Sequence, residues 1–417
     1  MTRKINFFTE FKQENILSPL PISFYKEGIC EEKNGLVTFK ITGFIVTEKE
    51  MFVVFPKGVM KKKDKINNQH FAHILLKTLL KYNRHSIQEQ HIFFGESKSR
   101  GNLLNIVNWI VDDYKRNGLI QINYKKKEFN GKSKINWGKT IKETTPFIIN
   151  QRIVYINTIN SATLKNKNNE VTAVHYKILE LIEEEYGWLL EYKLDYPSPY
   201  LNTEFTFDRM KHILKSALRV TFNQKDIQLL KKLLDYVELK TNSNGSNNFT
   251  LLYTKYFQFI WENICKHLFE DNSDLQNFLP KPYWSVGIEI KETKQIPDTL
   301  TIDSLNNLYI IDAKYFRPYE GITHLPGWKD IVKQLFYAKS IDAADIKNIY
   351  NVFVFPSPNG DDKSPLIKHG FASVRGRETD FGKVWSFELN ANWALQSYVQ
   401  NTTGNIKQSL IDQIKTL

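Results

Sequence analysis

The sequence predicts an α/β (α+β) protein in two regions, and three observations carry that prediction. The chain has 417 residues, 41% of them hydrophobic, more than a single core of ordinary domain size holds. Short runs rich in β-branched and aromatic residues are interleaved with segments of helical spacing. The stretch TNSNGSNN, Thr241 to Asn248, has no apolar residue and many small polar ones, the composition of a surface loop or linker. The expected division is therefore residues 1–245 as an N-terminal α/β region and residues 246–417 as a C-terminal mixed α/β unit. Helices in the second can cover both faces of a sheet.

The elements follow in order. LVTFKITGFIVTEKEMFVVFPKGV, from Leu36, carries two or three strands with a turn around Glu48–Glu50. A Lys-rich loop, KGVMKKKDKINN, comes next. HFAHILLKTLLKY and LLNIVNWIVDDYKRNG have helical spacing, the second stopping at Gly118. YKKKEFNGKSKINWGKTIK is polar and basic. AVHYKILELIEEEYGWLL is amphipathic, with Ile178, Leu181 and Ile182 on one side. Two more helices lie around FDRMKHILKSALRV and QKDIQLLKKLLDYVEL. Past the linker, YTKYFQFIWENICKHLF reads as a long helix. WSVGIEI, TLTID, LYIIDAKY and YNVFVFPSP read as strands, with the helix GWKDIVKQLFYAKSI between the last two.

Composition narrows the function. The two cysteines, Cys30 and Cys265, exclude a disulfide scaffold and a Cys-rich zinc site, and fit a reducing cytoplasm. No apolar run reaches the ~18 residues a spanning helix needs, and the N-terminus has no sustained apolar core of a signal peptide. A soluble cytoplasmic protein with no membrane partner is expected. Lys and Arg number 57 against 45 Asp and Glu, a net charge of +12, which favours a polyanionic partner. A general Lys/Asn/Ile bias also raises the charge without any function.

Several catalytic motifs are absent. WGKT at Trp137–Thr140 resembles the end of a phosphate-binding loop, but Ser133 stands where the loop needs glycine. The nine histidines do not cluster, and there is no HExxH zinc pattern or GxSxG elbow.

One acidic pair stands apart. IPDTLTI puts Asp298 at the start of a strand, and LYIIDAKYF puts Asp312 and Lys314 at the end of another. Asp312 and Lys314 have the same parity and share a strand face. Thirteen residues separate the aspartates, room for a strand, a turn at Ser304–Asn307 and a return strand. Such a hairpin brings the two carboxylates together. Two hard oxygen ligands suit Mg2+, which activates water and stabilises charge building on phosphorus. Lys314 can position that water or add positive charge to the transition state. Acid-x-Lys triplets recur (EFK, EEK, EYK, ELK), so the triplet alone carries little. Its context distinguishes it: the end of an apolar strand, at hairpin spacing from the chain's one Pro-Asp. The plain alternative is a salt bridge at a strand end.

These residues resemble the PD-(D/E)XK nuclease superfamily, which implies a restriction-endonuclease-like core, a mixed β-sheet flanked by helices, cleaving phosphodiesters with Mg2+. Many members carry a Glu on the helix before the core strands; FIWENICKHLF offers Glu262. Some carry a Gln on the helix after the motif; WKDIVKQLFYA offers Gln334, with Tyr337 three residues on where the superfamily has four. A narrower resemblance runs from about residue 36 to 380. NGKSKINWGKTI, PFIINQRIVYIN and VHYKILELI look like the LlaJI-type restriction endonuclease family, akin to McrC nuclease subunits.

The family resemblance implies a type II restriction endonuclease making sequence-directed cuts in double-stranded DNA. It also implies a separate McrB-like AAA+ NTPase and a cognate DNA methyltransferase in the same system; two cuts imply a homodimer or a transient pairing. Residues 1–245 would then recognise DNA or dock a partner, and residues 246–417 would form the nuclease domain. Lys125, Lys126, Lys127, Lys132, Lys134 and Lys139, interleaved with Phe129 and Trp137, are the expected phosphate contacts, with Gln334 a further DNA contact. The plain reading of that segment is a solvated basic loop beside a core Trp. A structure-specific repair nuclease and a non-catalytic adaptor subunit are the rival functions.

Overall fold

The computed structural model describes residues 3–16, 20–47, 49–59, 61, 64–85, 103–166, 169–195, 204–242, 250–293, 295–341 and 345–416. The chain divides into two compact units: Met1–Lys98 with Phe249–Leu417, and Ser99–Asn248. The expected division at residue 245 lies close to the second crossing between units. The first 98 residues, however, fold with the C-terminal segment. The linker from residue 243 onwards lies outside the described residues, as do Glu48 and parts of the KGVMKKKDK loop. Thr241 and Asn242 still belong to a helix.

Among the described residues the first unit contains four sheets, two of them large. Strands β1 (Lys4–Thr9), β2 (Thr42–Val46), β3 (Glu50–Phe55) and β4 (Thr250–Thr254) form one, in the order β1-β3-β2-β4. Thr42–Val46 is buried throughout, as a continuous apolar run requires when both faces are covered. Phe8, Phe24, Phe39, Phe52 and Tyr253 share its core. YTKYFQFIW was expected to be helical from its start, but its opening Tyr253 and Thr254 pair antiparallel with Gly43 and Thr42. Gly43 is what permits the approach: φ is +139°, and a Cβ there would stand 2.2 Å from the Leu252 carbonyl oxygen. Helix α1 (Lys65–His85) packs on β2 and β3.

The second sheet is mixed. Helix α2 (Phe257–Leu268) leads into it and buries Phe257, Ile260, Trp261, Ile264 and Leu268 along one stripe. Strands β5 (Thr299–Ile302), β6 (Asn307–Ala313), β7 (Asn348–Ser357), β8 (Leu366–Ala372) and β9 (Val384–Asn390) stand in the order β5-β6-β7-β9-β8. The β5/β6 and β8/β9 pairs are antiparallel; β6/β7 and β7/β9 are parallel. Helix α3 (Trp328–Ser340) is the crossover between β6 and β7 and packs on both. Its Tyr337 joins Leu300, Leu308 and Ile310 in one core cluster. Trp261 donates through Nε1 to the Val354 carbonyl at 3.3 Å, tying α2 to the sheet.

One expected strand is corrected. WSVGIEI is a hairpin, Tyr283–Val286 against Glu289–Glu292, turned at Gly287 and exposed throughout. The mixed α/β class with sheets flanked by helices is what the chain adopts.

The second unit packs helices Leu103–Asn117, Glu170–Leu190, Phe207–Val220 and Gln224–Asn242 together. The basic segment is not a loop throughout. Ile122–Phe129 pairs antiparallel with Ile159–Asn166, and Trp137–Glu143 is a short helix capped by Asn136. No helix among the described residues is long and apolar enough to cross a membrane.

Candidate active site

The β5/β6 hairpin builds the centre of the site. Register pairs Thr299 with Ile311, so Asp298, one residue before β5, comes beside Asp312 near the end of β6. Asp298 Oδ2 accepts a hydrogen bond from the Ala313 N–H at 2.8 Å. Asp312 is 1% exposed. Its Oδ2 lies 2.8 Å from Lys314 Nζ, an ion pair inside the site. Lys314 Nζ also donates to Asp330 Oδ1 at 2.8 Å, in the first turn of α3. Lys314 is thus held between two carboxylates.

The electrostatics follow from burial. The Asp298 carboxyl is pushed up to about 8, first by burial, then by the charge of Asp312, a side-chain hydrogen bond with Asp312, and the charge of Glu262. Burial likewise raises Glu262, with Asp312 adding to the shift and Lys266 opposing it. For Lys314 burial is the largest influence and would lower it; the charge of Asp312 and the bonds to Asp312 and Asp330 outweigh this and raise it. A bound cation beside Asp312 would favour the charged form of the Asp298 carboxyl.

A cleft of about 420 Å³ opens onto this cluster, lined by Gln258, Glu262, Asp298, Asp312, Lys314 and Lys333 among others. Asp298, Asp312, Lys314 and Glu262 therefore share one cavity. Among the described residues, no three of His, Cys, Asp and Glu converge closely enough to hold a metal ion by themselves. The donors fit Mg2+ in its commoner mode, in which one or two carboxylates bind and waters and substrate phosphate complete the shell. Asp312 Oδ2, buried with the Lys314 ammonium as its ion-pair partner, is the oxygen such a cation would address.

The other predicted residues fall elsewhere. Gln334, the further DNA contact expected, is wholly buried and donates through Nε2 to the Ile310 carbonyl at 2.7 Å. It fixes α3 on β6, with Tyr337 bonding the Ile296 carbonyl at 3.4 Å. Lys132, Lys134 and Lys139 are exposed in the second unit. Lys127 is paired with Glu143 at 3.0 Å. The side chains of Lys125 and Lys126 lie outside the described residues. Trp137, expected to be packed, is 54% exposed, edge-on to Tyr155 at 6.4 Å between ring centres.

Asp330 and Lys333 escape sequence reasoning. An acid in a helix's first turn is ordinary dipole complementation, and an exposed helix lysine carries no signal. Glu10 and Lys57 also reach the cleft, from the other end of the chain.

Comparison with known proteins adds three findings. A family model described as LlaJI restriction endonuclease matches residues 41–373. The type II restriction enzyme BsuMI component YdjA of Bacillus subtilis (strain 168) is 24% identical over 392 residues, 90% of this chain and 83% of the relative. Among solved structures, a refined half-complex from a tetradecameric assembly of Thermococcus gammatolerans McrB AAA+ hexamers with bound McrC aligns with 95% of this chain and 100% of the matched chain. Identity is 10% and the TM-score 0.40.

Proposed function

The chain belongs to the LlaJI restriction endonuclease family, and on that premise we propose that it hydrolyses phosphodiester bonds of double-stranded DNA with Mg2+, at sites chosen by sequence. The PD-(D/E)XK reading assigns the chemistry to Asp298, Asp312 and Lys314. The observation that carries it is the juxtaposition of two carboxylates and an ammonium in one cleft, with Ala313 N–H fixing Asp298.

Asp298 and Asp312 would hold the Mg2+. When bound, Mg2+ supplies Lewis-acid stabilisation of the charge on phosphorus and a more acidic water. Lys314, oriented by Asp330, presents positive charge to the phosphate oxygens or positions the water. Glu262, half-buried with a raised carboxyl, can hold a proton in the same cleft. Lys132, Lys134 and Lys139 are exposed and free to follow the DNA backbone.

The curated relative is called a component, which supports a chain that works alongside others. A McrB-like AAA+ NTPase is the proposed motor and a cognate methyltransferase the proposed protector. A second copy or a second event completes a double-strand cut, in the cytoplasm. Incubating a plasmid of known sequence with the protein and Mg2+ tests this: discrete fragments are expected, none with chelator, and at least about a hundredfold slower cutting for Lys314→Ala. Cleavage confined to branched or damaged DNA would support the repair nuclease instead. Undiminished cutting by Lys314→Ala would move the site elsewhere.

A further inference from the structure

The cleft has a wall contributed by the N-terminal sheet. Glu10, just past β1, is 1% exposed, and its Oε2 accepts from Tyr315 Oη at 2.6 Å and Thr42 Oγ1 at 2.9 Å. Tyr315 directly follows Lys314. Its Oη accepts from the Lys57 backbone N–H at 2.8 Å, and its carbonyl accepts from Lys57 Nζ at 3.0 Å. The Lys57 ammonium also lies over the rings of Tyr315 and Phe11, 4.5 and 5.0 Å from their centres. Phe11 holds φ +55°, a left-handed conformation costly for an aromatic residue, and is 39% exposed at the cleft. Gly58 fits so closely against β7 that a Cβ would stand 2.8 Å from Ser357 N.

We propose that Lys57 is a substrate-contacting residue, its ammonium binding a DNA backbone phosphate in the cleft beside the phosphate that is cut. Glu10 is the positioning residue that holds Tyr315, and with it both Lys57 and the strand end bearing Asp312 and Lys314. The inference rests on the nuclease reading above. Its physical basis is that Lys57 is a partly buried cation whose direct hydrogen bond is to a neutral carbonyl. Burial pushes its ammonium down, while Glu10 opposes the shift. Such a cation in an open cleft is compensated by an incoming anion, and the ring faces beneath it keep it aimed without a competing carboxylate hydrogen bond. Strain at Phe11 maintained at the cleft wall is of the kind found where a ligand is gripped.

The test uses the full chain carrying Asp312→Asn, so that duplex binding is read without cutting. Adding Lys57→Met is expected to weaken duplex binding about tenfold at moderate salt and to reduce the slope of log K against log salt by about 1. Lys57→Arg restores most of both. Glu10→Ala, which frees Tyr315 and with it Lys57, weakens binding and lowers the same salt slope, whereas Glu10→Gln, which keeps an acceptor for the Tyr315 hydroxyl, retains most of both. Unchanged affinity and salt slope in a folded Lys57→Met protein, or in a folded Glu10→Ala protein, would overturn the proposal. A chain that binds DNA through Lys57 but never cuts under any condition would overturn the nuclease reading alone.

Discussion

Asp298 is the residue whose chemistry is most displaced by its surroundings. Its carboxyl is raised from the ordinary 3.8 to about 8. A raised folded-state value favours the protonated form, so the contribution to stability is full below about pH 3.8 and is lost as pH rises through about 8. Metal-free protein should therefore melt at a lower temperature at pH 8.5 than at pH 5, and Asp298→Asn should flatten that fall. Equal falls in the two proteins would contradict the burial and Asp312 argument. Mg2+ competes with the proton, so titration calorimetry in buffers of different ionisation enthalpy should show proton release on binding near neutral pH. Asp298, Asp312 and Lys314 were legible because strand parity and hairpin spacing are local properties. Asp330 was not, since its bond to Lys314 needs the crossover helix to be placed first.

At the scale of elements, β6 was the easiest strand to read, a continuous apolar run whose Leu308, Tyr309, Ile310 and Ile311 are all 0% exposed. β9 was illegible. VWSFELN mixes buried Ser386 and Glu388 with Phe387 and Leu389, and Glu388 is tolerated inside because Ser357, Asn359 and His369 all bond it. The last two residues of β4, Tyr253 and Thr254, read as the start of a helix because its partner, β2, lies about two hundred residues upstream, on the order of one domain length. The Gly43 contact makes that pairing testable. Gly43→Val should cost at least about 3 kcal/mol by overpacking against Leu252, read as a lower urea midpoint at unchanged slope. A variant as stable as the parent would show that β4 does not dock there.

At the scale of the molecule, the boundary composition pointed to Thr241–Asn248, yet composition says nothing about which side the N-terminal residues join. Glu10 and Tyr315 meet across 305 residues of sequence, a contact no periodicity encodes. The consequence is that residues 246–417 alone should not form a well-folded nuclease. They would leave β4 unpaired and bare the apolar surface of Leu251 and Tyr253, which share a core with Phe8 and Phe52. Residues 1–98 joined to 249–417 by a flexible linker should give dispersed NMR signals and a cooperative melt. A cooperative melt from 246–417 alone would contradict the shared core.

The central claim is that Asp298, Asp312 and Lys314 together cut DNA. The most direct measurement is single-turnover cleavage of one defined duplex carrying a mapped site, with saturating Mg2+ and any required partner subunit, comparing the wild type with Asp312→Asn and Lys314→Ala. Loss of at least about a hundredfold in rate for each, with duplex affinity retained, is the predicted result. Cleavage at the wild-type rate by either variant would contradict it.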